Sequence, residues 1–369
     1  MKVVMIVQCV HKIGGTEKAT IELANLLQSN GHDVTIVSLY KKVENADLDL
    51  SLVQGINICY VFPHVVLFKY NDKFYRLHDL LLKKNINRCV DSFSPDVVFH
   101  TSIKNVDFNN NNHKKILMVH FSLEHYLTGK VTSTLLKKKH RFIDKIVFLS
   151  KKDAELYHEK FNTSNGTYVP NSTAVKIVDR QSSESNKRII FLGRIDEGQK
   201  QLSHAIDIIG SLKIHNKLNG WRLDIYGSGP DEKALAELID SKNCSDVITM
   251  HGFSNDIGNV LRTADIMILT SRYEGLPMCL IEAAASGMPL ISYDCAPGIR
   301  DIIIDGYNGY IIAQDDKEAF IEKLSCLINE PALQATMGKN SREVADSKFS
   351  QSSIKLRWNE ILESVEKNF

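Results

Sequence analysis

Short apolar runs alternate with helix-like patterns along almost the whole chain of 369 residues. The runs are typical of strands buried on both faces, which occur in parallel sheets covered by helices. This alternation predicts an α/β fold built from parallel strands. The predicted strands are Lys2–Gln8, Val34–Leu39, Ile56–Val61, Asp96–His100, Ile116–His120, Lys145–Leu149, Arg188–Leu192, Arg222–Tyr226, Val247–Met250, Ile266–Thr270, Leu290–Tyr293 and Gly309–Ile312.

The series of strands and helices is interrupted near the middle of the chain. Val169–Ser172 contains a proline and is followed by the polar stretch Asp179–Lys187, which suits a linker. We therefore divide the chain into residues 1–170, residues 171–349 and a last helix within 350–369. The other predicted helices are Glu17–Ser29, Gln201–Leu212, Asp231–Ser241, Ile257–Arg262, Pro277–Ser286, Lys317–Asn329 and Pro331–Lys339.

The charge of the chain is unevenly distributed although its net value is only +1. Residues 1–170 carry a net charge of +7, and the remainder carries −6. A basic half joined to an acidic half suggests that the first half faces an anionic ligand or surface. No nucleic-acid-reading motif is present, so nucleic acid is not an expected partner.

The seven cysteines are scattered and never have C-x-x-C spacing. This argues against a disulfide framework and against a structural zinc site, so no metal is expected. The apolar run within Met1–Val7 is too short for the hydrophobic region of a signal peptide, and polar residues follow it directly. No apolar stretch has the length of a membrane-spanning helix. We expect a cytoplasmic protein or one bound peripherally to the inner face of the cytoplasmic membrane.

Two glutamates eight residues apart stand out in the second half. Glu274 follows the predicted strand Ile266–Thr270, and Glu282 lies in the helix that begins at Pro277 and ends before Gly287. Glu282 is then about 7 Å along that helix. The helix start between the two acids has free N–H groups and a positive dipole end, which together suit a phosphate.

The segment from Glu274 to Glu282, E-G-L-P-M-C-L-I-E, resembles the E-x7-E signature of retaining GT-B glycosyltransferases of family 4, the group 1 glycosyl transferases. The resemblance implies two Rossmann-like doubly wound domains facing across a cleft, with the last helix crossing back onto the N-terminal domain. It also implies that Glu274 contacts the donor sugar and that Glu282 binds the nucleotide ribose. Backbone groups of Gly275, Leu276 and Pro277 would then take the diphosphate.

Gly193–Lys200, G-R-I-D-E-G-Q-K, follows a predicted strand and precedes a helix. Arg194 and Lys200 would place two cations at the carboxyl edge of the second sheet, where open α/β sheets bind ligands. The resemblance implies that both neutralise the donor diphosphate. The match is looser at Lys200, because the spacing is longer and Gln201 replaces the glycine that often follows.

Three further features correspond to positions that line the donor site in the family. Gly14 and Gly15 form the loop between the first strand and helix, which implies a place beside the phosphates. Gly227 belongs to a G-x-G-P turn, where the glycines are as consistent with a structural role as with binding. Phe253 lies in the segment that would hold the base.

His120 ends a predicted strand at the carboxyl edge of the first sheet. The resemblance implies that a histidine here lies near the donor sugar and the reaction centre. His100 also ends a strand and is the rival candidate. Asp47-Leu-Asp49 spells a D-x-D motif, but no hydrophobic strand flanks it, so we interpret it as a surface loop.

Basic residues stand beside apolar ones at several places in the first half. Lys137–Arg141 adjoins Leu136, Phe142 and Ile143, and Val65–Phe68 and Phe74–Leu82 show a similar mixture. Such stretches lie on anionic lipid in some proteins and form ordinary core-facing helices in others. Both interpretations remain open from the sequence.

These features predict a metal-independent glycosyltransferase without a cofactor. Its donor would be a nucleotide diphosphate sugar, UDP-linked, and its acceptor a saccharide or a lipid-linked saccharide of a bacterial surface polysaccharide such as O-antigen or capsule. A GT-B nucleotide-sugar epimerase and a catalytically silent sugar-nucleotide binding module are the alternatives. An epimerase would need no acceptor, and a silent module would catalyse neither reaction.

Overall fold

The computed structural model describes residues 1–12, 14–41, 52–62, 75–107, 110, 112–173 and 185–367. The chain divides into two compact units. Unit 1 combines Met1–Ser172 with the segment that begins at Gln351, and unit 2 is Thr173–Ser350. Each unit contains one parallel sheet with helices in most of the connections between successive strands, so the α/β prediction is confirmed.

Unit 1 contains a sheet in the order β3-β2-β1-β4-β5-β6-β7, in which each neighbouring pair is parallel. Apolar β-branched residues dominate these strands. Every residue of β1 except Lys2 is buried. The strands are β1 (Lys2–Val7), β2 (Asp33–Tyr40), β3 (Asn57–Phe62), β4 (Val97–His100), β5 (Lys114–Val119), β6 (Lys145–Phe148) and β7 (Gly166–Tyr168).

The helices of unit 1 connect these parallel strands, as crossover connections must. The helices Leu123–Thr128 and Lys151–Phe161 were not predicted, whereas Tyr75–Asp91 and Lys130–Lys139 overlap Phe74–Leu82 and Lys137–Arg141, the stretches for which a core-facing helix was one of two interpretations. The helices are α1 (Gly15–Ser29), α2 (Tyr75–Asp91), α3 (Leu123–Thr128), α4 (Lys130–Lys139) and α5 (Lys151–Phe161).

Unit 2 contains a sheet in the order β10-β9-β8-β11-β12-β13, again with parallel neighbours. Its strands are β8 (Arg188–Leu192), β9 (Arg222–Tyr226), β10 (Ile248–Gly252), β11 (Ile266–Leu269), β12 (Leu290–Tyr293) and β13 (Gly309–Ile312). Its helices are α6 (Glu197–Lys200), α7 (Leu202–Ile214), α8 (Glu232–Ser241), α9 (Ile257–Arg262), α10 (Met278–Ala285), α11 (Pro297–Ile302), α12 (Lys317–Asn329) and α13 (Pro331–Phe349).

The last helix, α14 (Gln351–Glu366), packs on the core of unit 1 rather than on unit 2, which precedes it. Trp358 is buried, and its ring lies 5.3 Å from that of Phe99 in β4, measured between centroids. Ile354, Ile361, Leu362 and Val365 bury the same face. Leu356 does not belong to this face, because it is 65% exposed.

Several predicted boundaries were wrong in detail. The helix predicted to end at Lys339 continues to Phe349, since no residue before Ser350 interrupts it. Strand β7 and helix α11 were not predicted, because both are too short to show a clear apolar period. No helix within the described ranges is both long and apolar enough to cross a membrane.

Candidate active site

The sheet of unit 2 reverses its strand order at one point. The chain runs outward from β8 to β9 and β10, and then returns to place β11 on the other side of β8. The loops that leave β8 and β11 therefore lie on either side of this switch point at the carboxyl edge. Ligands bind at such switch points in open α/β sheets.

The loop that leaves β8 is fixed by backbone contacts with the end of β9. Gly193 N donates to Tyr226 O at 3.0 Å, and Ile195 N donates to Ser228 O at 2.9 Å. Gly227, with φ +145°, lies so close that a Cβ atom there would collide with the Gly193 carbonyl. This packing is a structural reason for the glycine, and a binding role for Gly227 stays a prediction.

Arg194 projects from this fixed loop into solvent. No carboxylate among the described residues forms an ion pair with its guanidinium. Arg194 is therefore an exposed cation on an anchored backbone at the switch point. It is available to an anionic ligand, because no carboxylate among the described residues competes for its charge.

Gln201 holds the next part of the loop in an unusual conformation. Its backbone is left-handed, with φ 50° and ψ 46°, and its side chain is 2% exposed. The side-chain amide donates to Asp315 Oδ1 at 2.8 Å and contacts His204 Nε2 at 2.9 Å. The left-handed backbone explains why glycine is favoured after the lysine. In this chain the side-chain contacts of Gln201 offset the backbone strain that a residue other than glycine has in this conformation.

Lys200 and Glu274 form a buried ion pair between the β8 and β11 loops. Lys200 Nζ donates to Glu274 Oε1 at 2.6 Å, and the two side chains are 12% and 8% exposed. Ser271 Oγ donates to the same carboxylate oxygen at 2.7 Å. The second oxygen, Oε2, receives no hydrogen bond from the described residues and is not enclosed, so it is free to accept a bond from a ligand hydroxyl.

The ion pair also keeps Lys200 charged. Burial by itself lowers the pKa of the Lys200 ammonium, but the adjacent Glu274 carboxylate outweighs that effect, and the pKa is raised. The sequence predicted a cation that neutralises a diphosphate directly. In the structure Lys200 donates to the Glu274 carboxylate and so positions it, and a contact of Lys200 with the diphosphate stays a prediction.

The helix that carries the second glutamate starts immediately after this pair. Pro277 is the N-cap residue rather than the first helical residue, so α10 begins one residue later than predicted. No acidic residue lies in the first turn of α10, so no side chain of that turn balances the positive end of the helix dipole. Glu282 is 4% exposed, and Gly287, with φ 76°, follows the helix end as predicted.

The corresponding helix start in unit 1 is different. Gly14 is the N-cap of α1, and Gly15 is its first residue. Glu17 lies in the first turn, is 7% exposed and places its carboxylate against Gly14. A carboxylate at this position already balances the helix dipole, so the α1 start has less attraction for a diphosphate than the α10 start does.

His120 directly follows β5 and so lies at the carboxyl edge of the unit 1 sheet. Its Nε2 is buried and has no hydrogen-bond partner among the described residues. Burial lowers the pKa of His120 to about 4. The ring is therefore neutral near pH 7, which suits a hydrogen bond with a hydroxyl better than neutralisation of a phosphate.

His100 ends β4 and is 3% exposed, with both ring nitrogens unpartnered in the described part of the chain. Burial, together with smaller effects of the positive charges of His113 and Lys115, lowers its pKa to about 3. Because it is enclosed, His100 is less accessible to a ligand than His120, which is only partly buried.

Two other sequence predictions have different outcomes. Phe253 follows β10 and is 38% exposed, so its ring is open for stacking, although no contact assigns it that role. Asp47 and Asp49 lie outside the described residues. Within the described ranges, no group of three or more His, Cys, Asp and Glu side chains is arranged to hold a metal ion.

Three residues of this site had no role predicted from the sequence. Ser271 orients Glu274, Gln201 shapes the loop of Lys200, and Cys279 lies between the two glutamates. Ser271 had a detectable signal, because it is a small polar residue directly after an apolar strand. For Gln201 the one signal was indirect, because it replaces a glycine that often follows the lysine in the family.

Solved structures with the same architecture are GT-B glycosyltransferases. One is a TarM variant from S. aureus in complex with Fondaparinux, alpha-GlcNAc-glycerol and UDP, with a TM-score of 0.81 and 16% identity over 98% of this chain and 99% of that one. The fold of this protein is therefore the GT-B fold of glycosyltransferases.

The sequence comparisons identify the family. The model described as "Glycosyltransferase Family 4" matches residues 13–173, and "Glycosyl transferases group 1" matches residues 175–344. The chain is 26% identical to an uncharacterized glycosyltransferase of Haemophilus influenzae over 94% of this chain and 95% of that protein. It is 25% identical to the amylovoran biosynthesis glycosyltransferase AmsD of Erwinia amylovora over 98% of this chain and 99% of that protein. This protein belongs to the group 1 glycosyl transferases, glycosyltransferase family 4.

Proposed function

We propose that this glycosyltransferase transfers a hexosyl or N-acetylhexosaminyl group, with retention, from a UDP-linked sugar to a hydroxyl of a saccharide acceptor. The observation that carries the proposal is the placement of Glu274. Its Oε1 is held by Lys200 and Ser271 at the switch point, Oε2 receives no hydrogen bond from the described residues, and α10, whose first turn has no acidic residue, begins at Met278.

The donor is expected to bind along this edge of unit 2. In our assignment Glu274 Oε2 accepts a hydrogen bond from a sugar hydroxyl, and Glu282 accepts bonds from the ribose hydroxyls. The backbone of Gly275, Leu276 and Pro277, including the N–H groups of the first two, faces the diphosphate, and Phe253 packs on the base. The presence of UDP in the structure of TarM, a protein of the same fold, supports a UDP-linked donor.

In the proposed reaction the bond between C1 of the sugar and the diphosphate breaks, while the acceptor oxygen bonds to C1 on the same face. The acceptor proton passes to the departing phosphate oxygen, so no protein nucleophile is required. Arg194 is exposed and unpaired among the described residues, and its charge would stabilise the leaving diphosphate without a metal ion. His120, as a neutral imidazole, is proposed to position a sugar hydroxyl.

The acceptor is proposed to belong to a bacterial surface polysaccharide and to be lipid-linked. The similarity to the amylovoran biosynthesis protein AmsD over almost the whole chain supports a polysaccharide context. The basic first half, with a net charge of +7 over residues 1–170, supports an acceptor held at an anionic surface.

The donor assignment is tested by calorimetry with UDP and with a panel of nucleotide sugars. Glu282→Ala should weaken UDP binding by about 1.5–3 kcal/mol, the range for hydrogen bonds to a charged group. Glu237→Ala, a change at an exposed glutamate of α8, is the matched control and should leave the affinity unchanged. An unchanged affinity in Glu282→Ala would remove this residue from the ribose role.

Incubation with the bound nucleotide sugar separates transfer from the alternatives. A transferase releases UDP and forms a new glycoside only when an acceptor is added. Epimerisation of the donor without acceptor would instead identify an epimerase. Binding with neither reaction, across a panel of lipid-linked and free saccharides, would identify a silent binding module.

A further inference from the structure

The ends of three adjacent strands of unit 1 carry basic and aromatic side chains that the donor assignment does not use. The sheet order places β3, β2 and β1 side by side. His11 and Lys12 follow β1, Lys41 follows β2, and Tyr60 lies two residues before the end of β3. Because the strands are parallel, these residues lie towards the carboxyl edge of the sheet, where open α/β sheets bind ligands.

The loop after β1 is anchored to the end of β2 by hydrogen bonds. Tyr40 N donates to Gln8 O at 3.0 Å, and Val10 N donates to the buried hydroxyl of Ser38 at 3.0 Å. Ser38 Oγ in turn donates to Tyr40 O at 2.7 Å. The backbone at the base of both lysine-bearing loops is therefore fixed.

Tyr60 joins these two loops through its ring and its hydroxyl. Tyr60 Oη and His11 Nε2 are hydrogen bonded at 2.8 Å, and the two rings stack with centroids 5.9 Å apart and an interplanar angle of 13°. Lys41 Nζ lies 5.8 Å from the centroid of the Tyr60 ring. Burial raises the pKa of Tyr60, so the hydroxyl keeps its proton at physiological pH and adds no negative charge beside the lysine.

The two lysines have no protein counter-ion in the part of the chain that the structure describes. Neither Lys12 nor Lys41 forms an ion pair with a carboxylate there. Glu17, in the first turn of the nearby helix α1, places its carboxylate against Gly14. Neighbouring strands are about 4.8 Å apart, so flexible lysine side chains on two adjoining strand ends can reach one phosphate or diphosphate group.

We propose that Lys12 and Lys41, supported by Tyr60, bind a phosphate group of the acceptor and so select a saccharide that is joined to its lipid through a diphosphate. A phosphate presents oxygens in several directions, which lets it accept hydrogen bonds from ammonium groups on separate loops. The two lysines are then specificity-determining residues that take no part in bond breaking. This inference rests on the proposed function and adds to it the chemical class of the acceptor.

The first test uses inorganic pyrophosphate as the probe. The whole protein is saturated with UDP, so that the donor site is filled, and pyrophosphate binding is measured by calorimetry. Lys12→Ala/Lys41→Ala should weaken this binding at least about tenfold, the scale of a lost charge-assisted hydrogen bond. Lys12→Arg/Lys41→Arg should retain most of it. The matched control Lys2→Ala/Lys160→Ala removes two exposed cations near the amino edge of the same sheet and should bind like the wild type.

The second test compares two water-soluble acceptors in the transfer reaction. The same saccharide is joined to a short alkyl chain either through a diphosphate or directly. Lys12→Ala/Lys41→Ala should raise KM for the diphosphate acceptor at least about tenfold, with kcat within about twofold of wild type. Its KM for the phosphate-free acceptor should not change. Tyr60→Phe, which loses the bond to His11, should raise KM less and for the diphosphate acceptor only. A merely structural role would affect both acceptors alike.

The outcomes separate this inference from the proposed function. If UDP binds but pyrophosphate does not, or binds the double alanine variant equally well, the inference is overturned and the donor assignment stands. If the double alanine variant loses UDP affinity, the lysines serve the donor, and the inference is again overturned. Reduced binding to anionic vesicles with an unchanged KM for the soluble diphosphate acceptor would assign the lysines to membrane lipid instead. An absence of UDP binding to the wild type would overturn both proposals.

Discussion

Lys200 Nζ lies 2.6 Å from Glu274 Oε1, although the two residues are 74 positions apart in the chain. The pair joins the loop after β8 to the loop after β11 and thereby closes the two sides of the switch point. Each residue has the other as its counter-ion in a place that is almost fully buried. The position of the proposed sugar-binding carboxylate therefore depends on a residue of a different loop.

Lys200→Met should destabilise unit 2 by about 3–5 kcal/mol, because it leaves Glu274 buried without its counter-ion. Urea unfolding measures the loss. The double variant Lys200→Met/Glu274→Gln should recover a large part of it, since no uncompensated charge remains. Lys233→Ala, which removes an exposed pair with Glu237, is the control and should change stability by less than about 1 kcal/mol. Equal losses in the single and the double variant would contradict a coupled pair.

Arg194→Ala should lower turnover at least about a hundredfold, the usual effect of removing one electrostatic donor from a developing charge. Its stability should stay within about 0.5 kcal/mol of wild type, because the side chain is exposed. The measurement is the rate of UDP release with acceptor, and Arg262→Ala at the end of α9 is the control. Turnover should also survive EDTA. A variant with normal turnover would show that Arg194 has no part in the reaction.

Gln201→Gly and Gln201→Ala remove the same side-chain contacts, to Asp315 and His204, and differ in their backbone preference. Glycine adopts the left-handed conformation without steric strain, whereas alanine does not. The glycine variant should therefore be more stable than the alanine variant by about 1 kcal/mol. Thermal or urea unfolding provides the comparison. A more stable alanine variant would mean that the backbone conformation at residue 201 is not left-handed.

Acidification should destabilise unit 1 through His100. An unfolded histidine has a pKa near 6.5, whereas burial lowers that of His100 to about 3. Between these values the unfolded state binds more protons, so the stability present above pH 6.5 decreases by about 1.4 kcal/mol per pH unit as the pH falls. His100→Leu should have a shallower decline in urea midpoint between pH 6.5 and 4 than wild type or the exposed control His215→Gln. Parallel curves would contradict the prediction.

A basic patch at the end of α4 is expected to contact anionic membrane. Lys137 and Lys138 are exposed, and Lys139 Nζ lies 5.0 Å from the ring centroid of Phe142, which is 56% exposed. An exposed ring among cations suits a lipid surface, where each cation contributes about 1 kcal/mol at low salt. The protein should co-sediment with anionic vesicles and detach as salt rises.

Charge reversal separates this patch from the overall charge of the first half. Lys137→Glu/Lys138→Glu/Lys139→Glu should reduce co-sedimentation without a change in UDP affinity. The control Lys151→Glu/Lys152→Glu/Lys160→Glu makes the same change in net charge on α5 and should retain more of the binding. Equal losses in both triple variants would leave net charge as the cause, and no binding at low salt would favour a soluble acceptor.

The sequence by itself determined the α/β class and the position of the main elements of the candidate site. Short β-branched runs buried on both faces have few alternatives to parallel strands, which is why β8, β9, β12 and β13 have the predicted bounds. The glycine after α10 was predictable for a similarly local reason, since φ 76° is unfavourable for other residues. Short elements such as β7 and α11 carry too few residues for a period to be recognised.

The tertiary structure alone decided which of the predicted residues meet. Strand order places the loops after β8 and β11 side by side, and only this order pairs Lys200 with Glu274 instead of leaving both in solvent. The pairing of distant segments depends on the packing of the whole sheet, which local propensities do not specify. The tertiary structure also decided the partial exposure of Cys279 among buried neighbours. It decided the left-handed backbone of Gln201 as well, because the side chain of Gln201 contacts Asp315, more than a hundred positions away.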